Sequence, residues 1–152
     1  RRKNLAKALL LLEDAGVKCV KISSVYETQP KYFSTQPWFL NQVLAVASKL
    51  KPRSFLTLVK KIEKEMGRKP QVSKGPRLID IDILMAEEMI IRSKELQVPH
   101  PRLDERNFVL IPFREVAPNT VHPVLNKTIK DLAGGSHDSS AVRVFDSSVI
   151  DK

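Results

Sequence analysis

Two aspartates stand two residues apart in the run Lys74-Gly75-Pro76-Arg77-Leu78-Ile79-Asp80-Ile81-Asp82-Ile83-Leu84-Met85. Gly75-Pro76 punctuates the end of a loop. Leu78 to Met85, rich in β-branched residues, reads as a buried strand. On a strand, Asp80 and Asp82 point to one face, about 7 Å apart. Two ionised carboxylates so placed repel each other and are costly to bury unpaired. A divalent cation between them removes both problems, and hard oxygen ligands suit Mg²⁺. On spacing alone, the alternative is a solvated face paired with Lys or Arg. The wholly apolar opposite face of Ile79, Ile81 and Ile83 counts against it. Arg77 falls on that opposite face or in the preceding turn, where a guanidinium can grip phosphate with two hydrogen bonds.

Other residues add to this chemistry. Arg68, Lys69 and Lys74 lie in a basic loop just ahead of Arg77. Beside a carboxylate pair, such a loop suits a metal–polyphosphate ligand: the acids hold the cation and the bases hold the oxygens. Taken singly, Lys69 and Lys74 read as solvated surface residues. His100, in the rigid run Val98-Pro99-His100-Pro101, sits where an imidazole can face a phosphate, although an isolated histidine is more often structural. Trp38, Phe39 and Asn41 open a strand, and an aromatic face with an amide beside it can sandwich a flat heterocycle and read its polar edge. Core packing is the ordinary role of such a Phe, but an amide inside an apolar strand needs partners. Arg106 and Phe108, taken alone, are an ordinary helix start. His122 and His137 look incidental.

The elements that must position these residues follow from periodicity. Arg2 to Ala15 carries Leu5, Ala8, Leu9, Leu12 and Ala15 at helical spacing, stopped by Gly16. Val17–Glu27 alternates as a strand, Thr28–Pro37 is a loop, and Trp38–Leu50 is a second strand. Ser54 is expected to cap a helix running to Met66 with Phe55, Leu58, Val59, Ile62 and Met66 on one face. The basic loop and the Asp80–Asp82 strand come next, then a short strand Met89–Arg92 entered by a turn at Glu87-Glu88. Leu96–His100 reads as extended, Leu103–Val116 as a helix, and Asn126 as the cap of a last helix to Ala133. From Ser136 the chain is polar and reads as a tail or linker, with Val142–Phe145 as an alternative edge strand. The domain is therefore residues 1–135, with 136–152 as tail. Helix, strand, strand, helix, strand is the βαββαβ pattern without its first strand. A strand ahead of Arg1, belonging to the full molecule, would complete it; the alternative is a truncated variant that lacks it.

Composition bounds the function. The 152 residues suffice for one domain with a core. No apolar run approaches the ~20 residues of a membrane span. The single Cys19 excludes an internal disulfide and a cysteine metal site, and points to a reducing, intracellular setting: cytoplasmic, or mitochondrial if a presequence was removed. A net charge of +9 favours polyanionic partners, whether nucleic acid or nucleotide polyphosphate.

Gly75-Pro76-Arg77-x-x-Asp80-Ile81-Asp82-Ile83-Leu84, then Val98-Pro99-His100-Pro101 and Arg106-Asn107-Phe108-Val109-Leu110, together resemble the 6-hydroxymethyl-7,8-dihydropterin pyrophosphokinases of folate biosynthesis. Ser23–Thr28, Phe39-Leu40-Asn41, Ile62-Glu63 and Gly67-Arg68 fit that family in order and spacing, up to about Leu132. The resemblance implies a ferredoxin-like α+β sandwich, an antiparallel sheet with helices on its faces. It implies transfer of diphosphate from ATP to the pterin hydroxymethyl group, giving AMP. By motif, Asp80 and Asp82 would ligate two Mg²⁺ ions. Arg68, Arg77, His100 and Arg106 would contact ATP phosphates, with Arg68 and Arg77 serving catalysis, and Glu63 would lie near the nucleotide. Phe39 and Phe108 would stack on the pterin, Asn41 would bond its edge, and the Thr28 region would add backbone contacts. Gly67–Pro76 would be a lid over ATP. The sequence departs from the family at Ser73-Lys74, where an aromatic preceded by a basic residue is common, and at Phe39, which is often Tyr. Many relatives are fused to a dihydropteroate synthase, which the tail would join. The alternatives are a basic nucleic-acid-binding module of the same topology, for which no aromatic RNP pattern is present, and an inactive scaffold domain of a larger folate enzyme.

Overall fold

The computed structural model describes residues 2–29, 38–67 and 78–145. Arg68, Lys69, Lys74, Arg77 and all but the first residue of the expected lid lie outside them. The chain is α+β, with antiparallel strand pairs and helices, as expected. Among the described residues its strands form three small sheets rather than one. The chain divides into two compact units, Arg1–Val20 with Val46–His100, and Lys21–Ala45 with Pro101–Lys152.

The first helix, α1 (Arg2–Asp14), ends as its sequence dictates, at Gly16 with φ +91°. The expected single strand over Val17–Glu27 is two, β1 (Lys18–Ile22) and β2 (Tyr26–Thr28). The next is likewise two, β3 (Phe39–Asn41) and β4 (Leu44–Ala47). Side chains cause the break. Ser23 Oγ accepts from the Val43 amide at 2.9 Å, Gln42 Nε2 donates to the Ser23 carbonyl at 2.9 Å, and the Ser24 amide donates to Glu115 Oε2 at 2.8 Å. Those backbone groups leave the ladder, and the strands change partners: β1 pairs with β4, and β2 with β3.

In the first unit, α2 (Pro52–Glu65) starts two residues before the expected Ser54 cap. Pro52 takes the first helical position, where its missing N–H costs nothing and its fixed φ is already helical. Val59, Ile62 and Met66 are buried with Ala8 and Leu12 of α1 and with Val17, Leu96 and Val98. A hairpin of β5 (Ile91–Arg92) and β6 (Gln97–Val98) closes through Ser93, whose hydroxyl serves both the amide and the carbonyl of Leu96. The expected strand over Leu78–Met85 is not one. It has no ladder partner among the described residues, and side chains take two of its backbone groups: Asn4 Nδ2 donates to the Leu78 carbonyl at 3.0 Å, and the Ile81 amide donates to Glu63 Oε2 at 2.8 Å.

The second unit is a three-stranded sheet, β3-β2-β7, with β7 at Val142–Val144. Residues 136–145, expected as the start of a polar tail, thus include the edge strand that was the alternative reading. The expected helix Leu103–Val116 is a 3-10 turn, Leu103–Glu105, followed by α3 (Asn107–Val116). α3 packs on β2, β3 and β7. Its Leu110, Phe113 and Val116 are buried with Tyr26, Leu103, Ile129 and Phe145. The last helix, α4 (Ile129–Gly134), is capped by Thr128, whose Oγ1 accepts from the Asp131 amide at 3.1 Å. The expected cap, Asn126, occupies a left-handed turn at φ +57° instead.

Candidate active site

In the first unit, exposure alternates from Leu78 to Asp82. Asp80 and Asp82 are exposed, while Ile79 and Ile81 between and before them are half-buried. The two carboxylates therefore share one outward side, as their spacing predicted, but on a solvated segment rather than a buried strand. What fixes this segment is Glu63, on the buried side of α2 and only 2% exposed. Its Oε2 takes the amide of Ile81, the residue between the two aspartates, and its Oε1 lies 3.6 Å from Lys60 Nζ. A few residues on, the His100 amide donates to the Leu84 carbonyl at 2.8 Å. His100 follows the cis Val98-Pro99 bond and is half-buried. Glu63, Asp80, Asp82 and His100 are thus tied to one segment.

In the second unit, antiparallel register sets Tyr26 opposite Asn41 and Thr28 opposite Phe39. Alternation puts Tyr26, Thr28, Phe39 and Asn41 on one face of the sheet. Phe39 is 56% exposed, an unusual state for a strand Phe with a helix packed on its sheet. Asn41 Nδ2 donates to Thr28 Oγ1 at 2.6 Å, which orients the amide. Tyr26 shows which face α3 covers: its hydroxyl donates to Glu115 Oε1 at 2.5 Å. Phe108 lies seven residues before Glu115, on the same side of α3. The Arg106 guanidinium stands 5.6 Å from the centre of the Phe108 ring. On the other face Glu27, also buried, takes Arg143 Nε at 2.6 Å, and that guanidinium lies 4.0 Å from the Trp38 ring. Trp38, considered with Phe39, is therefore engaged with Arg143.

The Tyr26–Glu115 pair is distinctly perturbed. Burial pushes the Tyr26 phenol up to about 12, with Glu115 adding to the rise. Burial raises the Glu115 carboxyl too, but hydrogen bonds from Tyr26 and Ser24 outweigh it and hold the group below its usual range. The pair therefore stays a phenol and a carboxylate near neutrality.

Residues 1–118 match the sequence model of the 7,8-dihydro-6-hydroxymethylpterin-pyrophosphokinases. The chain belongs to this family. It is 44% identical over 128 residues to the 2-amino-4-hydroxy-6-hydroxymethyldihydropteridine pyrophosphokinase of Aquifex aeolicus, an alignment covering 84% of this chain and 79% of that one. To the enzyme of the same name from Bacillus subtilis it is 37% identical, over 95% of this chain and 83% of the other. To the Pneumocystis carinii folic acid synthesis protein fol1 it is 42% identical over 85% of this chain, which spans only 17% of that longer protein. Membership disfavours the nucleic-acid-binding alternative and supports ATP-dependent pyrophosphoryl transfer in folate biosynthesis, the activity of the family.

Within the family's frame, the described residues gather the expected positions into two sets: Glu63, Asp80, Asp82 and His100 in one unit, and Thr28, Phe39, Asn41, Arg106 and Phe108 in the other. Sequence reasoning missed Glu115, which anchors the strand before Thr28, and Asp138, which holds the start of α3. Nothing about a single acidic residue near a helix end signals a partner 89 or 31 positions away. No helix among the described residues is long and apolar enough to cross a membrane.

Proposed function

We propose that this chain performs its family's reaction, taking ATP and 6-hydroxymethyl-7,8-dihydropterin as substrates. The pterin hydroxyl oxygen attacks the β-phosphorus of ATP, the bond from that phosphorus to the α-phosphate oxygen breaks, AMP leaves, and the hydroxyl proton is released. Such a transfer depends on in-line placement and charge neutralisation more than on covalent help from the protein. The observation that carries this reading is the outward pair Asp80 and Asp82, held by the amide between them.

The pair fits Mg²⁺. Among the described residues there is no cluster of three or more His, Cys, Asp or Glu side chains able to cage a metal. Two carboxylates on a solvated segment suit an ion that keeps most of its sites for water and phosphate oxygens. Asp80 and Asp82 would hold two such ions, which neutralise the charge of the moving phosphates when bound. Arg68, Arg77, His100 and Arg106 bind phosphate oxygens. Phe39 and Phe108 stack on the pterin. Asn41, with one N–H given to Thr28, offers its other N–H and its carbonyl to the pterin edge. Glu63, buried and bonded to Ile81, acts here by positioning the aspartates. Residues 136–152 would serve as the link to a dihydropteroate synthase domain.

Calorimetric titration of a non-hydrolysable ATP analogue, with and without Mg²⁺ and then with the pterin, tests this in the native chain and in Asp82→Ala. Metal-dependent nucleotide binding, lost in the variant and followed by pterin binding in the native chain, is expected. Metal-independent nucleotide binding that is unchanged in the variant would overturn the assignment.

A further inference from the structure

We infer that Asp138, which lies beyond the segment matched by the family's sequence model, is a positioning residue for Arg106 and Phe108. The inference rests on the roles proposed above for those two residues. α3 begins at Asn107, and the first amides of a helix have no acceptor within it. Arg106, at the capping position with φ −126° and ψ 117°, supplies none from its side chain. Asp138 supplies it from 31 residues further on: its Oδ2 accepts from the Asn107 amide at 2.8 Å, and its carbonyl accepts from Asn107 Nδ2 at 2.8 Å. A carboxylate there also meets the positive end of the helix.

Asp138 is itself fixed. Its Oδ1 accepts from the Ser140 amide at 2.9 Å, and its own amide donates to Ser136 Oγ at 3.1 Å. Two residues beyond Ser140 the chain enters β7, which is laddered to β2 across Val142 and Thr28. The clamp thus ties the residue between Arg106 and Phe108 to the sheet that bears Phe39 and Asn41. Asn107 is held by both its backbone and its side chain, so the phosphate-facing guanidinium and the stacking ring on either side leave a fixed stretch of backbone. Without the clamp, the first turn of α3 keeps its sequence but loses its anchor, and both side chains are aimed less well.

The test uses the full chain with Asp138→Ala and Asp138→Asn, reading pterin affinity by fluorescence with the ATP analogue present, kcat, melting temperature, and amide exchange at residues 107–109 without substrate. Asp138→Ala is expected to speed that exchange, to weaken pterin binding about tenfold, and to lower the melting temperature by only a few degrees, the scale of one lost helix cap. Asp138→Asn, which keeps an acceptor for the Asn107 amide, should recover most of the loss. If Asp138→Ala does not fold, Asn107→Ala, which deletes only the side-chain bond, should give the same changes in smaller measure. Unaltered exchange and affinity would overturn the inference, as would a loss that merely tracks melting temperature and is no better in Asp138→Asn. Because exchange is read without ligand, it judges the clamp even if the native chain proves not to bind the pterin, an outcome that would count against the proposed function instead.

Discussion

The two units place their chemistry by different means. In the first, Asp80 and Asp82 stand on a segment with no ladder among the described residues, and a buried side chain, Glu63, substitutes for a neighbouring strand. In the second, Thr28, Phe39 and Asn41 stand on paired strands under a helix, in a register fixed by two antiparallel ladders. A ladder distributes the task of positioning over many backbone bonds. A few isolated bonds concentrate it, and the one between the two aspartates comes from a single carboxylate, so one substitution can loosen the pair. Glu63→Ala should therefore have the largest effect of any change outside the residues that touch substrate. It leaves the Ile81 amide without its acceptor and removes the carboxylate 3.6 Å from Lys60 Nζ, and displacing the aspartates by about 1 Å costs on the order of 100-fold in rate. Glu63→Gln, which still accepts from Ile81, should retain most of kcat. Steady-state kinetics of both variants separate positioning from ligand contact: a Gln variant with normal kcat but much weaker ATP binding would mean that Glu63 touches the nucleotide.

The laddered unit should respond in smaller steps. Asn41→Ala removes the amide offered to the pterin and leaves Thr28 Oγ1 without the donor seen here, but β2 and β3 stay paired. Pterin affinity should fall about tenfold, the scale of one or two lost hydrogen bonds, with affinity for the ATP analogue unchanged. A fluorescence titration checks this. Loss of nucleotide binding as well would show that the contrast between the units is less sharp than their architecture suggests.

The contrast also explains what the sequence could reveal. The spacing of Asp80 and Asp82 told that they share a side, because alternation is a local property of the chain. It could not tell that the segment would be solvated and without a ladder among the described residues, where Asn4 and Glu63, distant in sequence, bond its backbone. Helices were legible to within a turn wherever an apolar stripe and a glycine coincide, as at Gly16. Caps were read less well: Ser54 and Asn126 look the part, but Lys51 stands at the capping position of α2, just before Pro52, and Thr128 caps α4. The strands were legible as stretches but not in their breaks, which are made by Ser23, Gln42 and Glu115 side chains reaching the backbone. Phe39 and Asn41 could be picked out as an aromatic beside an amide. That Phe39 stays exposed, and that Thr28 orients Asn41, are consequences of register.

The smallest expected effect concerns His122, in the turn leading to α4. Its Nδ1 accepts from the amides of Val124 and Leu125 at 3.2 and 3.1 Å, so the ring there is neutral at that nitrogen. Burial lowers its pKa below the ordinary 6.5, with Asp104 opposing in part. With the folded value depressed, the unfolded chain takes up a proton first as pH falls. Stability contributed by the neutral ring is present above 6.5 and is lost as pH falls from there through the folded value. The melting temperature should therefore decline between about pH 7 and 5, and His122→Asn, whose amide oxygen can accept in place of Nδ1 without titrating, should flatten that decline. Amide exchange followed over the same range should quicken at residues 124–132 before it does in α2. Loosening that begins in α2 instead would place the acid-sensitive element in the other unit, where Glu63 holds the aspartates.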